Sequence, residues 1–208
     1  MTVLLTGFAP FGSSAVNPSW QAALLVASRR DDVISVELPV EFEASLPALR
    51  AAIEEHRPSL VVCAGEAGGR VAVTPERVAI NLIDARIPDN AGAQPIDVPV
   101  IADAPAAYFT TLPVKAAVAA IQAEGVPAAV SHTAGTYVCN QVFFGLMHLL
   151  AHDFPAVRGG FVHVPSAPEQ VEAGPSLDVR LSATALDAVI TAALTTADDL
   201  DVSAGTLN

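Results

Sequence analysis

The sequence predicts an α/β protein: one domain over residues 1–208, built as a three-layer α/β/α sandwich on a twisted, mixed but mostly parallel sheet. Short continuous apolar runs recur at Thr2–Thr6, Leu60–Ala64 and Phe161–Val164, and such runs suit strands buried on both faces of a parallel sheet. Between them lie segments with apolar residues at helical spacing, such as Leu46, Leu49 and Ile53, so strands and helices alternate. The alternation breaks once, between Gly65 and Asn90, where two short strands meeting at a tight corner add antiparallel pairing.

Thr2–Thr6 is the first strand, and Gly7-Phe8-Ala9-Pro10-Phe11-Gly12 is too rich in Gly and Pro to continue it. This loop leaves a strand's carboxyl end, where open α/β sheets bind ligands. Phe8 and Phe11 there either wall an apolar pocket or plug the core. Asn17-Pro18-Ser19 opens a helix through Trp20, Leu24 and Ala27, with Asn17 or Ser19 as its cap. Val33–Val40 alternates as a second strand, Glu41–His56 is an amphipathic helix, and Leu60–Ala64 is a third strand that hides Cys63. Val71 and Val73, then Val78, Ile80 and Leu82, mark the corner strands. Thr74-Pro75 breaks the run between them, and Glu76 sits at the turn. Residues 91–106 carry Pro95, Pro99 and Pro105 and form an irregular loop long enough for a lid or an assembly contact. Leu112–Glu124 is a helix ended by Gly125, and Ala128–His132 reads as a buried strand. A turn at Gly135-Thr136 leads into a helix whose apolar positions are Val142, Leu146, Leu149 and Leu150. Phe161–Val164 is the last strand, with Phe161 and His163 on one face, and Ser182–Ala197 is the last helix. The acidic end, residues 198–208, is expected to fray.

Hydrophobic residues make up 52% of the 208, enough for a full core. The formal net charge is −12 with only ten Lys and Arg, which argues against nucleic acid as a partner. Every apolar run is broken before the ~20 residues that a bilayer span needs, so no membrane association is expected. The opening MTVLLTGFAPFG lacks the basic start of a signal peptide, which points to the cytoplasm. Cys63 and Cys139, without a CxxC or His-rich motif, suit reduced thiols better than a disulfide or a metal site.

The chemistry concentrates around Cys139. With Thr136 as N-cap, the thiol falls in the first turn of its helix, where unsatisfied N–H groups and the helix dipole favour a thiolate. Such a cysteine is either a nucleophile or a small core hydrophobe. A nucleophile needs a base, and the base needs an orienting group. His163, at the carboxyl end of a strand, suits a cleft or a satisfied core position. Glu76, ordinarily a solvated turn carboxylate, is available to orient it.

GFAPFG, NPSW, AGEAGGR, VTPERVAINL, ARIPDN, PAAVSHTAGTYVCN and RGGFVHVP occur in this order from Val3 to about Glu169. Together they resemble the pyroglutamyl peptidase I (pyrrolidone-carboxylate peptidase) family, cysteine peptidases that remove an N-terminal pyroglutamyl residue. The resemblance implies a triad of Glu76, Cys139 and His163. It implies a ring pocket of Phe8, Phe11, Ile87, Tyr137 and Val138, with Asn17 holding the pocket's loop and Arg86 near the reacting carbonyl. It also implies pyroglutamylated peptides as substrates, no cofactor or metal, a cytoplasmic location and a homotetramer. Glu66 stands where family members commonly carry glutamine, and Gly12-Ser13 where they carry two glycines. A carboxylate beside a neutral lactam is costly unless hydrogen-bonded, so Glu66 is expected to affect affinity or pH dependence. The nearest rival reading is a cysteine amidase for another small acyl amide. A more distant one is a non-catalytic small-molecule binding module.

Overall fold

The structure, a computed structural model, describes residues 1–206; Leu207 and Asn208, the end of the tail expected to fray, lie outside them. In chain order the elements are β1 (Val3–Phe8), α1 (Pro18–Ala27), β2 (Val33–Leu38), α2 (Ser45–His56), β3 (Leu60–Glu66), β4 (Thr74–Pro75), β5 (Val78–Ile80) and β6 (Ala107–Phe109). There follow α3 (Val114–Ala123), α4 (Val138–His152), β7 (Arg158–Val164) and α5 (Val179–Thr195). The main sheet runs β2-β1-β3-β7-β4, with β2, β1, β3 and β7 parallel and β4 antiparallel to β7.

Strand periodicity distributes the apolar side chains between two cores. Val3 and Leu5 of β1, Leu60 and Val62 of β3, and Val162 and Val164 of β7 pack with α1, α3 and α5 on one side. Leu4, Val61, Cys63 and Phe161 face the other way, toward Leu49 and Ile53 of α2 and Phe143 and Leu146 of α4. The expected α/β sandwich and its mixed sheet are thus present. No helix among the described residues is long and apolar enough to cross a membrane.

Three local expectations are corrected. Thr74-Pro75, read as a break, is itself the short strand β4, while β5 leaves the main sheet to pair with β6. Proline suits such a brief edge position. Ala128–His132 is not a buried strand: it lies beside β4 with isolated bridges at Ala128 and Ser131, and Ala129 and His132 are exposed. The place next to β7 is already taken by β4, which leaves this segment outside it. Thr136 does not cap α4; its hydroxyl donates to Asp84 O at 2.8 Å, and Tyr137 is the N-cap residue. Within the acidic tail, the Asp199 carboxylate accepts from the N–H groups of Lys115 and Ala116 at the start of α3.

Candidate active site

The site forms at the carboxyl ends of β1, β3 and β7, where strand ends meet the loops that follow. Asn17 caps α1: its Oδ1 accepts from Ser19 N–H at 3.1 Å and from the Ser19 hydroxyl at 2.8 Å. Its amide donates to Ala9 O at 3.0 Å, and Ser19 Oγ in turn accepts from Phe8 N–H at 3.1 Å. The loop carrying Phe8 and Phe11 is therefore pinned to a helix end. Close approach of α1 requires Gly7, because a Cβ there would lie 2.5 Å from Trp20 Cα.

From β7, His163 points toward α4 with Phe161, as the alternation predicts; their ring centroids are 4.9 Å apart. Pairing of β4 with β7 then sets Glu76 beside Phe161, whose carbonyl accepts from Glu76 N–H at 2.9 Å. Glu76 Oε1 lies 2.7 Å from His163 Nδ1, and the carboxylate is fully buried. Cys139 occupies the first turn of α4, and its sulfur sits against Gly65, where a Cβ would approach to 2.9 Å. No side chain caps α4, so the N–H groups of its first turn remain open to a ligand.

Between these groups is a cleft of about 310 Å³ lined by Phe8, Phe11, Asn17, Glu66, Tyr137, Val138, Cys139 and His163, with Val40, Gly68, Arg70 and Ala134 among the remainder. That volume lies at the small end of the roughly 300–1,000 Å³ of ligand pockets. Phe42 meets Tyr137 edge-on at 5.2 Å, and the Tyr137 hydroxyl donates to Pro88 O at 3.0 Å, so the apolar wall is braced from behind.

Arg86 and Ile87 stand apart from this cleft. Ala85 is buried, and the two residues that follow it are exposed. The cation that does reach Glu76 in the candidate triad is Arg70, which sequence reasoning missed. Arg70 Nη1 donates to Glu76 Oε1 at 2.7 Å and also reaches the Thr74 hydroxyl, while Nη2 donates to Thr133 O at 3.0 Å. A sequence signal existed: Arg70 ends the glycine-rich AGEAGGR that follows a buried strand.

Glu66 is not left without compensation. Its Oε1 accepts from the Ser166 hydroxyl at 2.7 Å and its Oε2 from the Gln170 amide at 3.1 Å.

The electrostatics differ from the expected thiolate. Burial pushes the Cys139 thiol up to about 12, the Glu76 charge adds to the rise, and Arg70 opposes it. Burial also lowers His163, and its hydrogen bond to Glu76 only partly offsets this. Burial opposes ionisation of Glu76 too, yet the hydrogen bond and charge of His163, joined by Arg70, hold that carboxyl below its usual range. Burial therefore favours the neutral forms of the thiol and the imidazole, while their partners hold Glu76 as a carboxylate. Cys63 is fully buried, and burial pushes its thiol up to about 12, in keeping with a structural role.

The sequence matches the family described as pyroglutamyl peptidase over residues 1–197. It is 60% identical over 205 residues to the pyrrolidone-carboxylate peptidase of Streptomyces coelicolor, a match covering 96% of this chain and 95% of that one. Identity to the pyrrolidone-carboxylate peptidase of Bacillus subtilis is 48%, covering 99% and 98% of the two chains. The crystal structure of Bacillus amyloliquefaciens pyroglutamyl peptidase I superposes with a TM-score of 0.93 at 47% identity, covering 96% of this chain and 99% of that one. For the pyrrolidone carboxyl peptidase of Thermococcus litoralis the TM-score is 0.92 at 35% identity, with 97% and 99% covered. Similarity of this extent in both sequence and fold places the chain in the pyroglutamyl peptidase family, as an enzyme of the cysteine peptidase class.

Proposed function

We propose that the protein hydrolyses the amide bond after an N-terminal pyroglutamyl residue of peptides, with Cys139 as nucleophile, His163 as general base and acid, and Glu76 as the group that orients His163. The observation that carries the assignment is the buried 2.7 Å contact of His163 Nδ1 with Glu76 in the cleft that also holds Cys139 at an uncapped helix start. Pyroglutamate is a neutral lactam without an α-ammonium group, so an apolar pocket between Phe8, Phe11, Tyr137 and Val138 suits it. Asn17 holds the loop of that pocket, and Glu66, fixed by Ser166 and Gln170, lies at its edge.

Because burial favours the thiol over the thiolate, the proton leaves Sγ as the bond forms. Sγ attacks the carbonyl carbon while the proton passes to His163 Nε2, and Nδ1–H remains on Glu76. Open N–H groups at the start of α4 receive the oxyanion. The C–N bond then breaks as Nε2–H protonates the leaving amine, and the acyl group stays on Sγ as a thioester. Water, giving its proton to Nε2, hydrolyses the thioester and restores the thiol.

The test is release of a fluorescent amine from its pyroglutamyl amide, with the prolyl amide as control. Selective release, abolished by iodoacetamide and reduced by several orders of magnitude in folded Cys139→Ala and His163→Ala, is expected. Near-normal turnover in either variant would overturn the assignment. A homotetramer in the cytoplasm belongs to the same reading. Light scattering of the purified chain checks the oligomeric state.

A further inference from the structure

At the end of α4 remote from Cys139, one phenol hydroxyl meets two imidazoles. His148 and His152 are one helical turn apart, and their ring centroids are 4.4 Å from each other. Tyr108, from β6, brings its hydroxyl oxygen 3.0 Å from His148 Nδ1 and 3.4 Å from His152 Nε2. The Tyr108 ring packs on Phe144 at 5.0 Å, which fixes the direction of the hydroxyl. His152 is exposed and the other two are half-buried, so their meeting point is open to solvent on one side.

We propose that His148 Nδ1, His152 Nε2 and Tyr108 Oη form a binding site for a divalent transition-metal ion of the zinc, nickel and copper class, with water completing the coordination. Metal–nitrogen bonds of about 2.0–2.1 Å place tetrahedral ligands about 3.3 Å from one another. The two oxygen–nitrogen separations, 3.0 and 3.4 Å, bracket that edge length. Without a metal the phenol bridges the two imidazoles: its proton goes to one ring nitrogen, and the N–H of the other imidazole donates to Oη, across contacts of 3.0 and 3.4 Å. A cation engages a lone pair of each donor, and the phenol proton leaves to solvent as Oη binds. Imidazole and phenolate suit these ions rather than magnesium or calcium, which prefer carboxylate, carbonyl and water oxygen. Placement favours a cation as well: the histidines lie in the last turns of a helix, at the negative end of its dipole, and the chain carries a formal net charge of −12. Bound there, the ion joins β6, and through it β5 just beyond Glu76, to the helix that carries Cys139.

The experiment uses the full chain with Cys139→Ser, so that the cleft thiol cannot bind metal, after treatment with a chelator. Titration with Zn²⁺ by calorimetry and with Co²⁺ by visible absorption should give one ion per chain, with Mg²⁺ inert. His152→Ala should weaken binding at least ~10-fold, as should Tyr108→Phe. Zn²⁺ should raise the melting temperature of the Cys139→Ser chain, and this shift should vanish when His152→Ala is added. His152 is exposed, so loss of binding in that variant is not loss of fold, and the unliganded melting temperature verifies this. Absence of binding at ~100 µM ion, or an affinity unchanged by His152→Ala, would overturn the proposal.

Discussion

Replacing Glu76 with glutamine removes one charge while conserving shape, and it tests the most specific electrostatic claim about the site. In the folded protein Glu76 Oε1 lies 2.7 Å from both His163 Nδ1 and Arg70 Nη1. When His163 takes the Cys139 proton, the new imidazolium is stabilised by the carboxylate and opposed by Arg70. At a charge separation of about 4 Å and an effective dielectric constant near 20, the lost attraction is about 4 kcal/mol. At about 1.4 kcal/mol per decade this slows the chemical step by roughly 10³-fold. Arg70 then repels the imidazolium without opposition. The glutamine amide can also donate to Nδ1 and hold the wrong tautomer, as in the serine peptidase triad where the equivalent exchange costs about 10⁴-fold. Glu76→Gln should therefore lower kcat by about 10³–10⁴-fold and leave KM nearly unchanged, because Glu76 stands behind His163 and does not line the cleft. The assay is steady-state cleavage of a pyroglutamyl amide, with circular dichroism to verify the fold. Retention of more than about a tenth of kcat, or a loss confined to KM, would refute the reasoning.

Acidification should destabilise the protein from near neutrality. Burial lowers His163 from its ordinary 6.5, so the unfolded chain binds a proton first, and stability falls by up to about 1.4 kcal/mol per pH unit below that value. Glu76, also lowered, adds its loss below its ordinary 4.5; urea unfolding between pH 7.5 and 4 should show two successive declines, the first absent in His163→Gln. Gly65→Ala places a methyl group 2.9 Å from Cys139 Sγ and 2.8 Å from Phe161 Cζ, so it should cut kcat at least ~10-fold through a displaced thiol, against an unchanged profile if the sulfur has room. Asp199→Ala removes the carboxylate at the start of α3 and should cost about 1 kcal/mol, or roughly 2–4 °C in Tm, with pyroglutamyl amide cleavage unaltered.

Periodicity made the layers legible in the sequence. The alternation in Phe161–Val164 already assigns Phe161 and His163 to one face, and the structure packs Phe161 with α4 and Val162 with the opposite helices. The helical spacing after Gly135 puts Cys139 in a first turn, and the change of pattern after Val73 locates a corner at Glu76, although Thr74-Pro75 is a strand and not the break it resembles. These features depend on neighbours a few residues away, so the chain displays them directly. The partners of Glu66, Ser166 and Gln170, lie about 100 residues onward, and the pairing of Arg70 with Glu76 depends on how the loop after β3 folds over β4. Thr136 illustrates the limit at short range: its sequence context favours an N-cap, but a carbonyl from a distant loop takes its hydroxyl. The same holds for the charge state of Cys139. A first-turn position favours the thiolate, while the depth of the site favours the thiol, and depth is set by the packing of Phe161, Gly65 and the first loop around it. By itself, then, the sequence determined the layered fold and the faces of its main strands, and its motifs pointed to Glu76, Cys139 and His163 as the candidate reacting groups. Only the tertiary structure decided which cation meets Glu76, where Arg86 lies and that burial disfavours the thiolate, because desolvation and long-range contacts exist only once the elements are packed.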